Sequence, residues 1–342
     1  MLETTWFVLW GLLWAVYFVL DGFDFGMGTL LPFLAKNDEE KRIIYNAAGP
    51  YWDGNEVWLI SAGGVTFAAF PKVYAVMFSA LYAPLLILLF ALIFRAVSFE
   101  FRGKVESGVW RGFWDLVHFL SNLVPSLLLG VTFANLFMGI PIDGNGVYHG
   151  NIIKLLNPYG LAGGIFFVLI FCMHGALWLA LKSEGDIHER AVGAAQVVWP
   201  LVLAVALLFL ALTAFYTNLY ANYAEHPTLL IFPILAVASL LTVRVMIWAD
   251  NLLGAWFFSA LFIITVTFFG VLGMYPGIII SSIDPAYSVT VFNGASSQLT
   301  LKIMLGVTLC CIPVVIAYQA WVYYTFAHKV TPESLQKDDH AY

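Results

Sequence analysis

The residues best suited to chemistry are acids that stand in apolar stretches long enough to cross a membrane. Asp21 and Asp24 lie three positions apart in the first stretch, and Asp53 and Glu56 repeat that spacing at the start of the second. Residues three apart share one face of a helix. A charged group inside a span costs about 2.5 to 3.5 kcal/mol on insertion scales, so each acid needs a hydrogen-bonding partner or a role in ion movement. The spacing leaves both interpretations open, and stabilisation of Asp53 by the helix dipole is a further structural one.

Other ionisable groups follow in the third to fifth apolar stretches. Arg95 and Glu100 stand at the end of the third, where an arginine also suits a helix C-terminus. Asp115 and His118 begin a polar stripe on the fourth, and His174 stands alone in the fifth. Each histidine could be a haem ligand or a proton relay. A hydrogen bond to Asp115 or to a neighbouring helix is the favoured interpretation.

Motifs for nucleotide or metal chemistry are absent from the sequence. It has no Walker loop, dinucleotide fingerprint or HExxH motif, and Cys172, Cys310 and Cys311 lack CxxC spacing. We therefore predict neither a metal site nor a disulfide framework in this chain.

The composition places these groups in a membrane protein. Of 342 residues, 61% are apolar and 11% are charged, against about a quarter charged in ordinary soluble domains. Lipid demands an apolar exterior, whereas a soluble fold of this size needs more polar surface than the chain has. The formal net charge of −6 provides no basic footprint for nucleic acid.

The predicted fold class is an all-α polytopic membrane protein, with one integral-membrane domain over residues 1–342. A span takes about 20 apolar residues. Nine helices are predicted, at about residues 5–34, 50–70, 74–95, 113–140, 158–181, 191–220, 229–249, 252–280 and 299–327. We expect the first to stay in the protein, because its apolar stretch is too long for a signal peptide and lacks a small-residue cleavage site.

Positive charges predict the orientation of these helices. With the N-terminus outside, twelve Lys and Arg residues fall on the inner side and three fall on the outer side, namely Lys72, Lys154 and Lys302. The positive-inside rule then places the C-terminus in the cytoplasm. The acids and histidines within spans also fall in the inner half. This asymmetry favours a half-channel that opens towards the cytoplasm.

Three segments resemble subunit II of the cytochrome bd-type quinol oxidases. They are DGFDFGMG (Asp21–Gly28), GPYWDGNEVWL (Gly49–Leu59) and the RxxxxE stretch (Arg95–Glu100), and the similarity extends over essentially the whole chain. The family's architecture, two four-helix bundles plus one peripheral helix, agrees with nine predicted helices. The resemblance implies a non-haem subunit that docks on a haem-bearing subunit I in a bacterial or archaeal cytoplasmic membrane.

The resemblance also implies the activity of the whole complex. Quinol would be oxidised near the outer face and dioxygen reduced to water, with protons drawn from the cytoplasm and no proton pump. Subunit I would carry haems b558, b595 and d, together with their ligands and the quinol loop, and this chain would bind none of them. A structural quinone or lipid in this chain, and a small third subunit, are left open.

Matching residue by residue, the resemblance assigns a proton-uptake path. Asp53 would be its central carboxylate and Glu100, where relatives may have Asp, its entry acid. Arg95 would be a nearby tuning charge and Asp24 a buried polar member. Glu56 stands where some relatives have a neutral amide and is included in the path on its position.

The remaining assignments concern aromatic and supporting positions. Trp58 resembles a residue near the proposed lateral entry of oxygen, and Trp52 matches another aromatic position. Asp21, Asp115 and His118 are expected to give polar support.

Two other functions fit the same acids. A proton-coupled secondary transporter would use a helix broken near the midplane, and the glycine-rich segment Asp21–Gly28 is the plausible break. Alternatively, the chain is purely a scaffold in which every acid has a structural partner.

Overall fold

The computed structural model describes residues 1–337 and 342, without the side chains of residues 336 and 337. Residues 338–341, at the end of the predicted domain, lie outside this description, as does the side chain of Lys337, one of the twelve inner cations. The elements in chain order are α1 Leu2–Leu34, α2 Asp38–Ala48, α3 Trp52–Ala69, α4 Pro71–Ala80, α5 Tyr82–Phe101, α6 Gly108–Met138, α7 Ile152–Leu155, α8 Pro158–Lys182, α9 Gly185–Tyr216, α10 Leu219–Glu225, α11 Ile231–Trp248, α12 Leu252–Met274, β1 Gly277–Ile279, β2 Val289–Thr290, α13 Gln298–Thr325 and α14 Pro332–Lys337. The two strands pair antiparallel.

Eight helices are long and apolar enough to cross a membrane, namely α1, α5, α6, α8, α9, α11, α12 and α13. They confirm an all-helical, multi-pass membrane protein. The predicted second span forms α3, which has 18 residues. It is not among the eight, since Asp53, Asn55 and Glu56 lower the hydropathy of its first turns. The predicted count of nine spans is therefore not reproduced within the described residues.

The predicted helix at 74–95 is wrong in its boundaries, because the chain forms two helices there. α4 ends at Ala80, and α5 begins after Leu81 and runs on to Phe101. Pro84 lies in the first turn of α5, where its missing N–H costs no intrahelical hydrogen bond. This proline is compatible with a helix start at Tyr82 but would interrupt a single helix through this region.

Several later boundaries also differ from the prediction, and α6 begins at Gly108 instead of near residue 113. The predicted helix at 252–280 ends at Met274, because the following residues adopt the extended backbone of β1 and pair with β2. The predicted helix at 191–220 begins earlier, at Gly185, and ends at Tyr216.

An amphipathic helix, α2, occupies a segment that was predicted as a connection. The Asn37 side chain accepts the backbone N–H of Glu40 at 2.8 Å, and the Glu40 carboxylate accepts the N–H of Lys36 at 2.6 Å. These contacts form a capping arrangement that satisfies one free N–H of the first turn and the N–H of the residue before the cap. Its apolar face, including Ile43 and Ile44, is buried. α2 is therefore fixed at its start by capping and along its length by burial.

The central helix of the fold is α1, which packs against α3, α6, α8 and α12. Gly22 and Gly26 lie against Phe171 of α8, with no room for a side chain at either position. Two small residues four positions apart thus allow the two helices to approach closely. α1 continues without interruption through the segment that the transporter hypothesis needs as a break.

Three helices lie at the periphery. α13 has one buried residue, Leu301, and about three quarters of the most apolar stretches of α9 and α11 are exposed or only half-buried. The outward residues of these helices are mainly apolar, as a surface in lipid requires. The polar interior lies elsewhere, between α1, α3 and α5.

Candidate functional site

The centre of the candidate site is Arg95 on α5, whose side chain is fully buried. Its Nη1 lies 2.6 Å from Oδ1 of Asp21, and its Nη2 lies 3.1 Å from Oδ2 of the same carboxylate. Nη2 also donates to Oε2 of Glu56 at 3.0 Å. The guanidinium lies 4.5 Å from the centre of the Phe25 ring. Arg95 therefore joins acids from α1 and α3 through a two-pronged contact, the geometry in which arginine binds carboxylates most strongly.

Asp24 is the second acid of α1 at this site. It is 3% exposed, and its Oδ2 accepts Nδ2–H of Asn55 at 2.8 Å. The other oxygen, Oδ1, has no hydrogen-bond partner among the described residues. We call Asp21, Asp24, Glu56 and Arg95 the carboxylate cluster.

A chain of hydrogen bonds links the carboxylate cluster to the peripheral helix α13. The indole N–H of Trp58 donates to Oε1 of Gln319 at 2.9 Å, and Nε2 of Gln319 donates to Oδ1 of Asn55 at 3.3 Å. Tyr323 donates its hydroxyl to the same Oδ1 at 2.9 Å. The sequence analysis missed Asn55, Gln319 and Tyr323 as site residues. Gln319, an amide inside an apolar span, is the signal that could have identified this helix.

Asp53 and Glu100 lie outside the buried cluster. Both are exposed on the described chain, and Oδ1 of Asp53 accepts the N–H of its neighbour Gly54 at 2.7 Å. Between them, Trp52 stacks on Phe99, with ring centres 5.1 Å apart and planes 7° apart. The structure thus divides the sequence-predicted path into a buried part and an exposed part.

Asp115 belongs to a separate ionic network near α2. It pairs with Arg102 at 2.6 Å and with Lys41 at 2.9 Å. Arg102 also contacts Asp38 at 2.6 Å, and Arg111 reaches Asp38 at 3.2 Å. Burial opposes ionisation of Asp38, but the hydrogen bond and charge of Arg102, with Arg111 and Lys41, hold the pKa of this carboxyl below its usual value. We call these five residues the α2 network.

His118 contacts a neighbouring helix, as one of its interpretations expected, and not Asp115. Its Nδ1 lies 2.8 Å from the hydroxyl of Ser98, which donates to the backbone oxygen of Arg95 at 2.6 Å. The ring packs on Tyr45 with ring centres 4.3 Å apart. His118 thereby supports the segment of α5 that carries the arginine.

His174 lies in a different part of the bundle. Its Nδ1 is 2.6 Å from the hydroxyl of Ser259, and its Nε2 is 3.1 Å from the carbonyl oxygen of Val19. Both ring nitrogens are engaged with protein, so neither is available to a haem iron. No group of three or more metal-ligating side chains is found in the described part of the chain.

An apolar groove of about 600 Å³ lies beside the cluster, between α3, α4 and α5. Gly63 and Gly64 of α3 leave open space along it. Tyr74 of α4 and Tyr82 at the start of α5 also line it. Its dimensions suit an apolar chain of a lipid or a quinone.

Comparisons with known proteins agree over nearly the whole chain. The family model for cytochrome bd terminal oxidase subunit II matches residues 2–326. The chain is 37% identical over 336 residues to cytochrome bd ubiquinol oxidase subunit 2 of Bacillus subtilis, covering 96% of this chain and 97% of the relative. It is 34% identical over 376 aligned positions to cytochrome bd-I ubiquinol oxidase subunit 2 of Escherichia coli, covering 99% and 98%.

A solved structure shares the fold. It is the structure of bd oxidase from Geobacillus thermodenitrificans, with a TM-score of 0.79 and 16% identity over 95% of this chain and 98% of that one. At 16% identity this match shows a shared fold and nothing more about function. The family model and the curated relatives identify the chain as a member of the cytochrome bd terminal oxidase subunit II family.

Proposed function

We propose that this chain is the haem-free subunit of a cytochrome bd-type quinol:O2 oxidoreductase, where it docks on a haem-bearing subunit I. In the complex it takes up protons from the cytoplasm for the reduction of O2 to water. The observation that carries this proposal is the composition of the carboxylate cluster. Three carboxyl groups lie with a single guanidinium at a largely buried site.

The charge balance of the cluster gives it a reason to hold protons. Fully ionised, it would carry a net charge of −2, from three carboxylates and one arginine. Burying uncompensated charge is expensive, and a carboxyl group relieves that cost by binding a proton. A group of acids that holds fewer protons than it has sites can also pass them on. The cluster therefore has the chemistry of a proton relay.

The burial of the acids forms a gradient from the surface inward. Asp53 and Glu100 are exposed, Glu56 retains 24% side-chain exposure, and Asp21 has none. Asp53 and Glu56 lie one turn apart on α3. We propose that protons enter at Glu100 and Asp53, pass Glu56 and reach the buried aspartates, with Arg95 setting the local potential.

The basic residues indicate which end of this path faces the cytoplasm. Lys41, Arg102 and Arg111 gather in the α2 network, and Arg190 pairs with Glu40 of α2 at 2.6 Å. The positive-inside rule assigns this end to the cytoplasm, and with it the C-terminus, so that the N-terminus lies outside.

The face of α3 and α5 is our candidate for contact with subunit I. It carries exposed apolar residues, namely Val57, Ile60, Phe67, Leu89, Phe94 and Phe101, and has Asp53 and Glu100 at one end. A proton path that ends in this chain must hand its protons to the partner, where the haems b558, b595 and d are expected. The groove between α3, α4 and α5 would hold the structural lipid or quinone chain. Trp58, which also lies on α3, would be a residue of oxygen access.

Two substitutions test the proton role. Asp53→Asn should lower quinol oxidase turnover in the assembled complex while its haem spectrum stays intact. Asp186→Asn is the control, because Asp186 is 87% exposed and its one ion pair with the described residues is a long contact with Arg190 at 4.0 Å. Full turnover in Asp53→Asn, matching the control, would reject the role and favour the scaffold.

The transporter hypothesis makes a different biochemical prediction. The uninterrupted α1 removes the helix break that this hypothesis relied on. Purification from the native membrane should yield this chain together with a haem-bearing partner. A chain purified alone and free of haem would reject the oxidase proposal.

A further inference from the structure

We infer that Trp58, acting through Gln319 and Asn55, determines which oxygen of Asp24 carries a proton. The inference rests on the proposed role of Asp24 in proton uptake. It gives Trp58 a positioning role, and it assigns the same role to Gln319 and Tyr323 of α13.

Trp58 sets the donor-to-acceptor direction of this chain of hydrogen bonds. The nitrogen of an indole can donate a hydrogen bond but cannot accept one. Trp58 therefore requires an acceptor opposite its N–H, and the oxygen of Gln319 lies there at 2.9 Å. With its oxygen held, Gln319 must turn its NH2 group towards Asn55, whose oxygen lies 3.3 Å away.

The orientation of Gln319 in turn sets the orientation of the Asn55 amide. Its Oδ1 accepts from Gln319 and from the Tyr323 hydroxyl, so its NH2 group faces the opposite way. That group donates to the backbone oxygen of Leu20 at 3.1 Å and to Oδ2 of Asp24 at 2.8 Å. A reversed Asn55 would place its NH2 group against the NH2 group of Gln319, two donors at a buried site without an acceptor between them.

The two oxygens of Asp24 are consequently not equivalent. Oδ2 faces a fixed N–H, so a proton on that atom would meet a second donor. A proton bound by Asp24 must sit on Oδ1, which has no partner within the described ranges. Oδ1 is thus the atom that exchanges protons. The hydrogen bonds from Trp58 through Gln319 and Asn55, which we call the relay, keep Oδ1 available by occupying Oδ2.

The location of Gln319 and Tyr323 supports a specific role for them. α13 has one buried residue, Leu301, so little of the helix is fixed by a packed core. Yet two of its polar side chains converge on a single oxygen of Asn55. An attachment that served only to hold α13 would not need both donors at the amide that contacts Asp24.

Infrared difference spectroscopy of the assembled oxidase tests the inference. The C=O band of protonated Asp24 is identified by its loss in Asp24→Asn. In the parent protein Oδ2 is the hydrogen-bonded carbonyl oxygen, which lowers the frequency of this band. Trp58→Phe leaves Gln319 free to turn its oxygen towards Oδ1 of Asn55, which opposes the orientation that Tyr323 and the Leu20 oxygen favour and weakens the N–H contact with Oδ2. The band should therefore move to higher frequency, and turnover should fall several-fold.

Matched variants distinguish the effect of breaking the relay from the effect of removing any indole side chain. Trp199→Phe removes an indole that donates to the Leu240 backbone oxygen at 2.7 Å, remote from this site in the fold, and should leave the Asp24 band in place. Gln319→Met breaks the relay while leaving Trp58 intact and should reproduce the shift if Trp58→Phe does not assemble.

Each outcome bears on one of the two proposals. An unmoved Asp24 band in Trp58→Phe or Gln319→Met overturns the relay, as does the absence of any carboxyl band that Asp24→Asn removes. Full turnover in Asp24→Asn instead rejects the proton role of Asp24 itself. Trp58→Phe should lower kcat at saturating oxygen, where the KM for oxygen, and with it the proposed part of Trp58 in oxygen access, no longer affects turnover. A change in that KM alone would assign Trp58 to oxygen access and overturn its positioning role.

Discussion

Removal of Arg95 is the most informative perturbation of the carboxylate cluster. Arg95→Met keeps the apolar stem but leaves Asp21, fully buried, and Glu56 facing each other without a cation. Removing one partner of a buried ion pair costs about 3 to 5 kcal/mol, because the other charge stays buried and unpaired. We therefore expect Arg95→Met to lower the free energy of unfolding by about 4 kcal/mol.

The reverse substitution should be milder. In Asp21→Asn, Arg95 keeps its contact with Glu56 at 3.0 Å, so the remaining pair is neutral overall. The amide can still accept from one prong of the guanidinium, and the loss is close to one charge-assisted hydrogen bond, about 1.5 to 3 kcal/mol. Arg95→Met should therefore lose more unfolding free energy than Asp21→Asn, because the cluster has more acids than cations.

The double variant then measures the coupling between the two groups. Arg95→Met combined with Asp21→Asn leaves only Glu56 of the contacted groups, and Glu56 is partly exposed, so water solvates its charge. The loss in the double variant should fall short of the sum of the single losses by about 2 kcal/mol, within the range for residues in direct contact.

Equilibrium unfolding of the complex in mixed micelles, followed by the spectrum of the haem-bearing partner and by helix content, provides the measurement. Two results would contradict the expected coupling of Arg95 and Asp21. One is an Arg95→Met variant as stable as the parent. The other is strict additivity in the double variant, which would mean that Arg95 and Asp21 do not act as a pair.

Two further predictions concern packing and pH. Gly26→Ala should reduce stability and complex yield, because a Cβ there would overlap the backbone of Phe171, whereas Gly193→Ala on α9 meets open space and should be neutral or stabilising by up to about 1 kcal/mol. The lowered pKa of Asp38 means that its bridge to Arg102 stabilises the fold above about pH 4 and is lost as the pH falls further. Thermal stability measured down to low pH should therefore show a smaller acid-induced decrease in Asp38→Asn than in the parent.

The sequence predicts the parts of the site that depend on local spacing. Asp21 and Asp24 share a helix face that meets a neighbouring helix, and Gly22 and Gly26 permit close packing, because both facts follow from helix periodicity. α2 could have been found in the same way, since Asn37 and Glu40 form a capping pattern before an apolar repeat.

Contacts between residues far apart in the sequence could not be predicted from local spacing. Gln319 lies 264 positions from Asn55, and no periodicity relates the two. The partners of Arg95 were also open, because Asp21, Asp24 and Glu56 are all within reach on sequence grounds, and only the folded structure pairs Arg95 with Asp21 and Glu56. The place of Glu56 depended on the same packing, which sets it between the exposed and buried acids.

The balance of acids and cations separates two clusters that contain the same residue types. The α2 network has two carboxylates, Asp38 and Asp115, against three cations, so each acid has a cation partner and the contacts hold helices together. The carboxylate cluster has three carboxyl groups against one cation at a more buried site, and the proposed proton uptake rests on this excess of acids. Adding a cation to the carboxylate cluster should therefore reduce its capacity to hold protons. Asn55→Lys should abolish turnover even though all three acids remain, an outcome that a purely structural role for the acids does not predict if the complex assembles with its haem spectrum intact.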